Sequence, residues 1–541
     1  MKGIVNRLLA GVLLIVTVAA CADLEVTNPN DPDAQRALAT PGDVESLIGG
    51  AYYSWHRGAY WYSGPGMFLS TQSFQHSAPW ANAGMVFYSW IPRPAVVNDP
   101  ADQFYGNFSY PWTWGYRALS AVADGLKAIN NNPAIAEELG DADVLRARAY
   151  GKFVQGLTHA MLATLYDQVF VVDETTDLTV DQTPVPYDQA MDAALGYFDE
   201  VISLASGASF TIPTNWLPTY TETTADELVA AAYSMKARYR AAVARTPAER
   251  QAVDWNAVIS DVNNGVQADW DMEMNFSKGW ADDVILYGSY RGWNEVANFV
   301  VGMADQSGLY QRWLDVPLLE REAIFSDGTP FLYDTPDLRF PQGTTVAEQV
   351  ANPGTIYKIP TAEIDGWNIA GVWSKPDRQK WRWSYYFGYD HANYYIVDWR
   401  STEIDIDEMN LLKAEGYYYQ NNLAEVANII NTTRTAAGLN ATDATGTNTS
   451  CVPKLPDETC GDLWEMLKWE KRHEARMDGL MSAPWYFDSR GWGDLWVGTQ
   501  LQFPVPCQEL QVLQMLPCYT FGGVGGDMAA PVSTYNWPNE S

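Results

Sequence analysis

Apolar residues recur at helical spacing along several long stretches of the chain, with polar residues between them. The clearest stretch covers residues 141–170, where Tyr150, Phe153, Leu157 and Met161 lie on one stripe. Further amphipathic helices are predicted at residues 187–204, 225–244, 254–266, 404–420, 423–437 and 462–477. The pattern therefore predicts a mainly α-helical protein.

These predicted helices come in pairs joined by short turns. The sharpest pair covers residues 404–438, where Asn421 and Asn422 separate the helices and Gly438 follows the second one, a position that favours left-handed backbone. Such pairs resemble tetratricopeptide units, although the diagnostic residues of a regular repeat of about 34 residues are missing. We expect degenerate repeats at residues 141–266 and 404–438. On periodicity alone, plain helix packing is about equally good as an interpretation.

Two segments, residues 56–118 and 272–399, lack sustained periodicity and are rich in aromatic residues, Gly and Pro. The sequence predicts mostly loop there, docked onto the helical scaffold. In the second segment, aromatic residues alternate at Trp381, Trp383, Tyr385 and Phe387, which favours a strand with one face in the core. The alternative is a face that meets a partner, because Trp, Tyr and Arg are enriched in interfaces.

The first 37 residues have the layout of a secretory leader followed by a tether. Lys2 and Arg7 precede an apolar run that ends at Ala20, and this run is shorter than the roughly 18 residues that span a bilayer. Val18-Ala19-Ala20-Cys21 looks like a lipobox. We expect a signal peptide at 1–20, lipidation of Cys21 and a tether at 21–37. The alternative is an ordinary signal peptide with a chance cysteine.

The composition of this 541-residue chain limits the classes of molecule that it could bind. A net charge of −32 excludes a nucleic-acid backbone as a partner and would repel an anionic membrane surface, so attachment is expected through lipid. Aromatic residues make up 13% of the chain, with 23 Trp and 31 Tyr, which is more than its core needs. Some are expected to face outward, where flat rings suit stacking on sugars, aromatic ligands or another protein.

The late cysteines fall into two close pairs, Cys451 with Cys460 and Cys507 with Cys518. Two short-loop disulfides are predicted, and four free thiols would suit a cytosolic protein better than one with a secretory leader. Neither pair has the spacing of a zinc site, and the chain has only five histidines. We therefore expect no metal and no cofactor.

Taken together and in order, these segments resemble the SusD/RagB outer-membrane lipoproteins, the surface partners of TonB-dependent transporters in Bacteroidetes-like bacteria. The similar stretches are DLEVTNPND, TPGDVESLIGGAYYSW, RARAYGKFVQGLTHAMLATLYDQVFV, PVPYDQAMDAALGYFDEVISLA, DELVAAAYSMKARYRAAVA, PDLRF, EIDIDEMNLLKAEGYYYQNNLAEVANIINTTRTAAGL and WEKRHEARMDGLMSAPWYFDSRGWGDL. The resemblance implies one SusD-like domain at residues 38–541. It also implies a non-enzymatic protein, anchored at the bacterial cell surface, that presents a polysaccharide, oligosaccharide or peptide to a SusC-like transporter barrel.

In this family, loops at two places tend to form the ligand site, and here they correspond to HSAPWANAGMVFYSWIP and GWADDVILYGSYRGWNEVANF. The predicted ligand-binding residues are Trp80, Asn82, Trp90, Tyr290, Arg291 and Trp293. The alternative is that these aromatic side chains only seal the loop-rich half against the helices.

Charged residues near the C-terminus could be mistaken for catalytic groups. The stretch HEARM lacks the second histidine of a zinc-protease motif, because Met477 is its fifth residue. We expect a structural ion network from the residues with helical spacing, which are Glu470, Arg472, Glu474, Arg476, Asp478, Arg490 and Asp494.

The competing classes are a secreted glycoside hydrolase and a structural surface adhesin. A hydrolase needs two carboxylates that face each other across a cleft, and the nearest pair, Asp282 and Asp283, consists of adjacent residues that point in different directions. No catalytic residue is therefore predicted.

Overall fold

The computed structural model describes residues 38, 40–62, 64–76, 82–289, 296–316, 332–358, 384–385 and 399–523. In these residues the chain is mainly helical, which confirms the predicted class. The helices, in chain order, are α1 Pro41–Gly49, α2 Ala51–Tyr60, α3 Gly66–Gln72, α4 Met85–Ser89, α5 Gly106–Asn131, α6 Pro133–Leu139, α7 Asp141–Leu165, α8 Tyr187–Ala205, α9 Ala225–Ala242, α10 Pro247–Gln251, α11 Trp255–Asn264, α12 Asp283–Ser289, α13 Asn298–Val301, α14 Leu309–Leu314, α15 Val346–Ala351, α16 Ile406–Tyr419, α17 Leu423–Ala436, α18 Leu463–Glu474, α19 Pro484–Trp492 and α20 Cys507–Val512.

The strands of the described residues form small antiparallel pairs. They are β1 Ala95–Val96, β2 Gln168–Val169, β3 Val185–Pro186, β4 Thr211–Ile212, β5 Thr223–Thr224, β6 Trp270–Met274, β7 Tyr357–Lys358, β8 Ser384–Tyr385, β9 Trp399–Ile404 and β10 Phe521–Gly522. The longest pair joins β6 to β9, in a register that places Met274 opposite Trp399. This pair ties the start of the loop-rich segment to the entrance of α16.

The long helices pack in succession, each against the next along the chain. Helix α2 contacts α5, α5 contacts α7, and the row continues through α8, α9, α11 and α16 to the pair α17 and α18. Helix α7 lies inside this arrangement, with α2, α5, α8 and α9 around it. Every residue from Ala149 to Leu165 is consequently buried. The two predicted sets of helix pairs therefore form one continuous scaffold.

Side-chain caps mark the starts of several helices. The Thr224 hydroxyl accepts a hydrogen bond from the Glu227 amide while the Glu227 carboxylate accepts one from the Thr224 amide, a complete capping box at α9. Asp254, Asp405 and Asp462 cap α11, α16 and α18 with one interaction only, in which the Asp carboxylate accepts a hydrogen bond from a backbone amide. These helix starts lie within about two residues of the predicted ones.

Two predicted helix ends were too late. Helix α7 ends at Leu165 and not at residue 170, because the backbone at Tyr166 is extended and Gln168–Val169 pairs with Val185–Pro186. Helix α18 ends at Glu474 and not at 477, since Met477 has a positive φ of 61°. Gly438 has a φ of 76° after α17, as predicted for the residue that follows that helix.

The prediction of mostly loop at residues 56–118 was wrong. This segment contains the end of α2, both α3 and α4, and the first half of α5. Helix α5 includes Pro111 in its second turn, and Phe108, Trp112, Leu119 and Val122 form its buried face. The Gly and Pro content of this segment favoured a prediction of loop. The helix forms nevertheless, because its aromatic residues provide the apolar stripe that packs into the core.

Within residues 272–399 the structure describes four short helices, α12 to α15, together with β7, β8 and parts of β6 and β9. Tyr385 pairs with Tyr357 in β7 and β8. Trp381, Trp383 and Phe387 lie outside the described residues, so the strand with one aromatic face remains a prediction.

Both predicted disulfides are present, Cys451–Cys460 and Cys507–Cys518. The leader at 1–20, Cys21 and the tether at 21–37 lie outside the described residues. Among the residues that are described, none of the helices combines the length and the apolar character needed to cross a membrane.

Candidate functional site

Most of the predicted ligand-binding residues, namely Trp80, Tyr290, Arg291 and Trp293, lie outside the described residues. Asn82 opens a short 3-10 turn, Asn82–Gly84. Trp90 directly follows α4 and is 50% exposed, with its ring centroid 5.3 Å from that of Phe87. Trp90 is therefore a surface aromatic residue.

The residues that border the two predicted loops are in contact. Phe74 lies just before the stretch 77–81, Phe299 lies just after the stretch 290–295, and their ring centroids are 4.5 Å apart. Helix α3, which leads to Phe74, also contacts both α4 and α12. The chain therefore enters one predicted loop next to the place where it leaves the other.

Tyr62, two residues after the end of α2, contacts the residues on the other side of both loops. Its backbone N–H donates to Oδ2 of Asp283 at 2.6 Å, and its phenol is hydrogen-bonded with the backbone of Ala83. Burial, together with the nearby Asp283 carboxylate, raises the pKa of the Tyr62 phenol. Asp283 begins α12, and Ala83 follows Asn82, so three separate segments meet at Tyr62.

A tight turn at residues 480–482 is hydrogen-bonded to residues that precede both loops. Leu480, Met481 and Ser482 have φ values of 32°, 57° and 54°, a left-handed run that costs backbone strain for residues other than Gly. The Ser482 carbonyl accepts a hydrogen bond from Gln75 Nε2 at 3.0 Å, and the Ser482 hydroxyl donates to Asp282 Oδ2 at 2.8 Å. One strained turn therefore anchors the start of both loops.

Asp282 and Asp283 act as structural groups in this arrangement. Asp282 is fully buried and accepts hydrogen bonds from Ser401, Ser482 and the Ile285 amide. Burial raises the pKa of Asp282 to about 6 and that of Asp283 to about 7, against the opposing effect of their hydrogen bonds. Both carboxylates are buried, unlike the facing pair on an open cleft that glycoside hydrolysis requires.

Beside this junction lies a surface feature that the sequence analysis missed, which we call the arginine–tryptophan ladder. It consists of Trp61, Arg57, Trp114 and Arg117. The Arg57 Cζ atom lies 3.2 Å from the Trp61 ring centroid and 5.6 Å from that of Trp114, and Arg117 Cζ lies 4.4 Å from the Trp114 centroid. Arg117 is exposed, and the other three side chains are partly exposed.

Helical spacing creates the ladder. Arg57 and Trp61 are four residues apart at the end of α2, and Trp114 and Arg117 are three apart on α5. The two helices approach closely at Gly58, where an added Cβ would lie 3.0 Å from the Trp114 Cβ. The spacing of these residues could have revealed the ladder from the sequence. It went unnoticed because residues 56–118 were predicted to be mostly loop and not helix.

The charged C-terminal series is structural, as predicted, for most of its members. Glu470 and Glu474 pair with Arg339, and Arg472 pairs with Asp494. Arg476 stacks over the rings of Tyr357 and Trp485.

Two members of the series differ from the prediction of an ion network. Arg490 donates to the backbone carbonyls of Thr164, Ala242, Ala244 and Leu501. The Arg490 guanidinium thus holds three separate backbone segments together. It forms no ion pair with the described residues. Asp478 likewise forms no ion pair within the described part of the chain, and burial raises its pKa well above the usual range.

No group of three or more His, Cys, Asp or Glu side chains within the described ranges is arranged to hold a metal ion. A cavity of about 240 Å³ opens between α16 and α17, with a lining of polar and apolar residues: Asp407, Asn410, Leu411, Asn428, Ile429, Thr432 and Thr433. It lies on the helical scaffold, away from the elements that border the two loops.

Solved structures of similar fold cover most of the chain. A SusD-like protein from Bacteroides fragilis NCTC 9343 has a TM-score of 0.50 and 12% identity, over 84% of this chain and 87% of that protein. A SusD superfamily protein from Bacteroides vulgatus ATCC 8482 has a TM-score of 0.49 and 12% identity, over 85% and 89%. A SusD-like carbohydrate binding protein from Bacteroides fragilis NCTC 9343 has a TM-score of 0.49 and 13% identity, over 84% and 87%.

The sequence matches no family model. No curated protein matches it either. The chain nevertheless has the SusD-like fold, and this confirms, at the level of the fold, the resemblance drawn from the order of its sequence motifs.

Proposed function

We propose that this protein is a cell-surface lipoprotein that binds a glycan without cleaving it and delivers it to a SusC-like, TonB-dependent transporter barrel in the outer membrane. The observation that carries the proposal is the convergence of the two loop borders next to exposed aromatic side chains. Phe74 meets Phe299 on one side of the loops, and Tyr62 joins Ala83 to Asp283 on the other. The SusD-like fold supports the same assignment.

The proposed ligand face combines the two loops with the surface beside them. Trp80, Asn82 and Trp90 would come from the first loop and Tyr290, Arg291 and Trp293 from the second, while Trp61 and Trp114 extend the aromatic surface. Trp90 supports this assignment because half of its surface is exposed to solvent. Tryptophan rings offer flat apolar faces to the C–H faces of sugar rings, and polar neighbours fix the orientation of the sugar.

The anchor and location are part of the same proposal. Lipidation at Cys21 would hold the folded domain at the outer membrane through the tether at 21–37. A single acyl chain binds only marginally, whereas several chains hold a protein firmly. The acidic chain, with a net charge of −32, needs such an anchor because its charge opposes adsorption to an anionic surface.

A binding role without catalysis fits the carboxylates near the proposed face. Asp282 and Asp283 are buried and engaged by hydroxyl and amide donors, so they are poorly placed to act on a bound sugar. A peptide ligand is the second candidate for the same uptake role, and the guanidinium groups of Arg57 and Arg117 would suit peptide carboxylates.

Incubation of the purified protein with a panel of polysaccharides, oligosaccharides and peptides tests this proposal. We expect saturable glycan binding and unchanged glycan chain length after prolonged incubation. Release of shorter products would identify a hydrolase. Binding of peptides alone would change the ligand class, and binding of neither class would favour an adhesin. Co-purification with a barrel transporter from detergent-solubilised outer membranes tests the delivery step.

A further inference from the structure

The arginines of the ladder differ from the other arginines in their surroundings. Arg238 pairs with Glu408, Arg250 with Glu415, and Arg339 with Asp337, and all three are buried. By contrast, no residue in the described part of the chain forms a hydrogen bond or an ion pair with the guanidinium of Arg57 or Arg117. The Arg57 Nε atom is shielded from solvent and has no hydrogen-bond partner among the described residues, so the donors of Arg57 that a ligand can reach are its terminal Nη groups.

The contact with an indole ring leaves only part of each guanidinium available to a ligand. A guanidinium that lies over an indole ring uses its flat face for that contact, whereas its N–H groups point outward in the plane of the group. Arg57 Cζ lies 3.2 Å from the centroid of the Trp61 ring and Arg117 Cζ lies 4.4 Å from that of Trp114, so each guanidinium is in contact with the face of an indole ring. The in-plane donors match the two oxygens of a carboxylate or a sulfate ester.

Asp283, the carboxylate whose pKa responds to the charge of Arg57, does not fill this role. Asp283 is buried, and its Oδ2 atom accepts a hydrogen bond from the Tyr62 amide at 2.6 Å. The pKa of Asp283 responds to the charge of Arg57, but the two groups form no ion pair. Among the described residues, Arg57 and Arg117 therefore have no carboxylate paired with them, although the chain has a net charge of −32.

We propose that the arginine–tryptophan ladder binds the anionic groups of an acidic glycan, with the Trp61 and Trp114 rings against the sugars and Arg57 and Arg117 on their carboxylate or sulfate oxygens. This inference rests on the proposed function, because it names the class of glycan bound beside the two loops. The net negative charge of the chain does not prevent an acidic glycan from binding at the ladder. At physiological ionic strength charges are screened over about 8 Å, so the local arginines dominate.

Calorimetric titration of the full-length lipoprotein in detergent tests the proposal at about 0.15 M salt. The probes are two matched pairs, polygalacturonate with its methyl ester and dextran sulfate with dextran. The methyl ester and dextran lack the charge of their partners. We expect the acidic member of at least one pair to bind about tenfold or more tightly than its neutral partner, as charge-assisted hydrogen bonds predict. The pair that responds identifies carboxylate or sulfate as the recognised group.

Variants of the ladder assign this effect to its residues. Arg57→Gln and Arg117→Gln should each weaken binding of the acidic glycan about tenfold and leave the neutral partner within about twofold. Arg57→Lys keeps the charge but lacks the planar fork, so it should recover only part of the loss. Arg148→Gln removes an exposed arginine of α7 that donates to Asn130, and it serves as the matched control with unchanged affinity.

The outcomes separate this inference from the proposed function. Equal affinity for acidic and neutral partners, or full retention of acidic binding by Arg57→Gln and Arg117→Gln, overturns the role of the ladder while glycan binding stands. Absence of binding to every glycan, with a folded protein by circular dichroism, overturns the proposed function and the ladder together. Arg117 is exposed, so loss of folding cannot account for the effect of Arg117→Gln.

Discussion

Arg250 donates two hydrogen bonds to the carboxylate of Glu415, each 2.7 Å long, and neither side chain reaches solvent. Arg250 also donates to Asp488, and Lys471 lies within 3.3 Å of Glu415. Burial alone would raise the pKa of Glu415, but Arg250 and Lys471 hold it down to about 2. Through these four residues α10, α16, α18 and α19 are tied together, so the charges of the late motif stabilise the scaffold.

Removal of one charge from this pair should therefore be costly. Glu415→Gln leaves Arg250 and Lys471 with only Asp488 as a carboxylate partner, and we expect the free energy of unfolding to fall by about 3–5 kcal/mol. Denaturant titration at pH 7 measures this. Lys278→Gln breaks an exposed pair with Glu273 and should cost less than about 1 kcal/mol. Equal losses for both variants would contradict the account of a buried network.

The raised pKa of Asp283 predicts that the protein becomes less stable as the pH rises. Its folded-state pKa of about 7 is higher than the ordinary value of 3.8, so its contribution to stability is fully present below about pH 4 and is lost as the pH rises through 7. Asp283→Asn keeps an acceptor for the Tyr62 amide and removes the charge. We expect the variant to melt at a higher temperature than the wild type at pH 8, with the difference shrinking towards pH 5.

Thermal unfolding followed by circular dichroism from pH 5 to pH 8 measures this dependence. Asp192→Asn, an exposed substitution on α8, is the control. A lower melting temperature for Asp283→Asn at pH 8 would show that the ionised carboxylate is the favoured form in the folded protein.

The two disulfides should pin short loops. Cys451 and Cys460 are 9 residues apart, and Cys507 and Cys518 are 11 apart. Loss of either crosslink by paired substitution with Ala should lower the free energy of unfolding by about 2.5–3 kcal/mol in the chain-entropy model. Peptide mapping without reduction should recover these two pairs, and free or cross-paired cysteines at these positions would be the contrary result.

Cys21 should become the lipidated N-terminus of the mature protein. Cys21→Ala should release the protein from membranes during high-salt washes without detergent, because the substitution removes the thiol that would carry the lipid. Fractionation with immunodetection compares the variant with the wild type. Equal retention of both proteins in the membrane fraction would exclude a lipid anchor at this cysteine.

The helical scaffold was predictable because its elements depend on local patterns. The apolar stripe of α7, the turn at Asn421 and Asn422, and the acidic caps such as Asp462 lie within a few residues of the elements that they define. Helix α5 was missed because Pro111 and several glycines resemble loop composition, and its burial depends on contacts with α2 and α7. The composition of the segment therefore did not predict where α5 begins and ends.

The candidate site was less predictable because it depends on distant contacts. The residues chosen in the two loops came from family resemblance, and only Trp90 has a described side chain. The contact between Tyr62 and Asp283 and the ladder on α2 and α5 join residues more than 50 positions apart that meet only in the folded chain. Nothing in the local sequence around Arg57 indicates that Trp114 lies beside it.

The most direct test of the central claim is the glycan affinity of three tryptophan variants, measured together with their melting temperatures. Trp80→Ala, Trp90→Ala and Trp293→Ala are compared with Trp469→Ala, which removes a buried ring of α18. We predict that at least one loop variant loses about 2 kcal/mol or more of binding energy, roughly thirtyfold in affinity, with little change in melting temperature. Trp469→Ala should instead lower the melting temperature. If all three loop variants melt at lower temperature and keep full affinity, these residues belong to the core, and the claim that the two loops form the glycan-binding face is wrong.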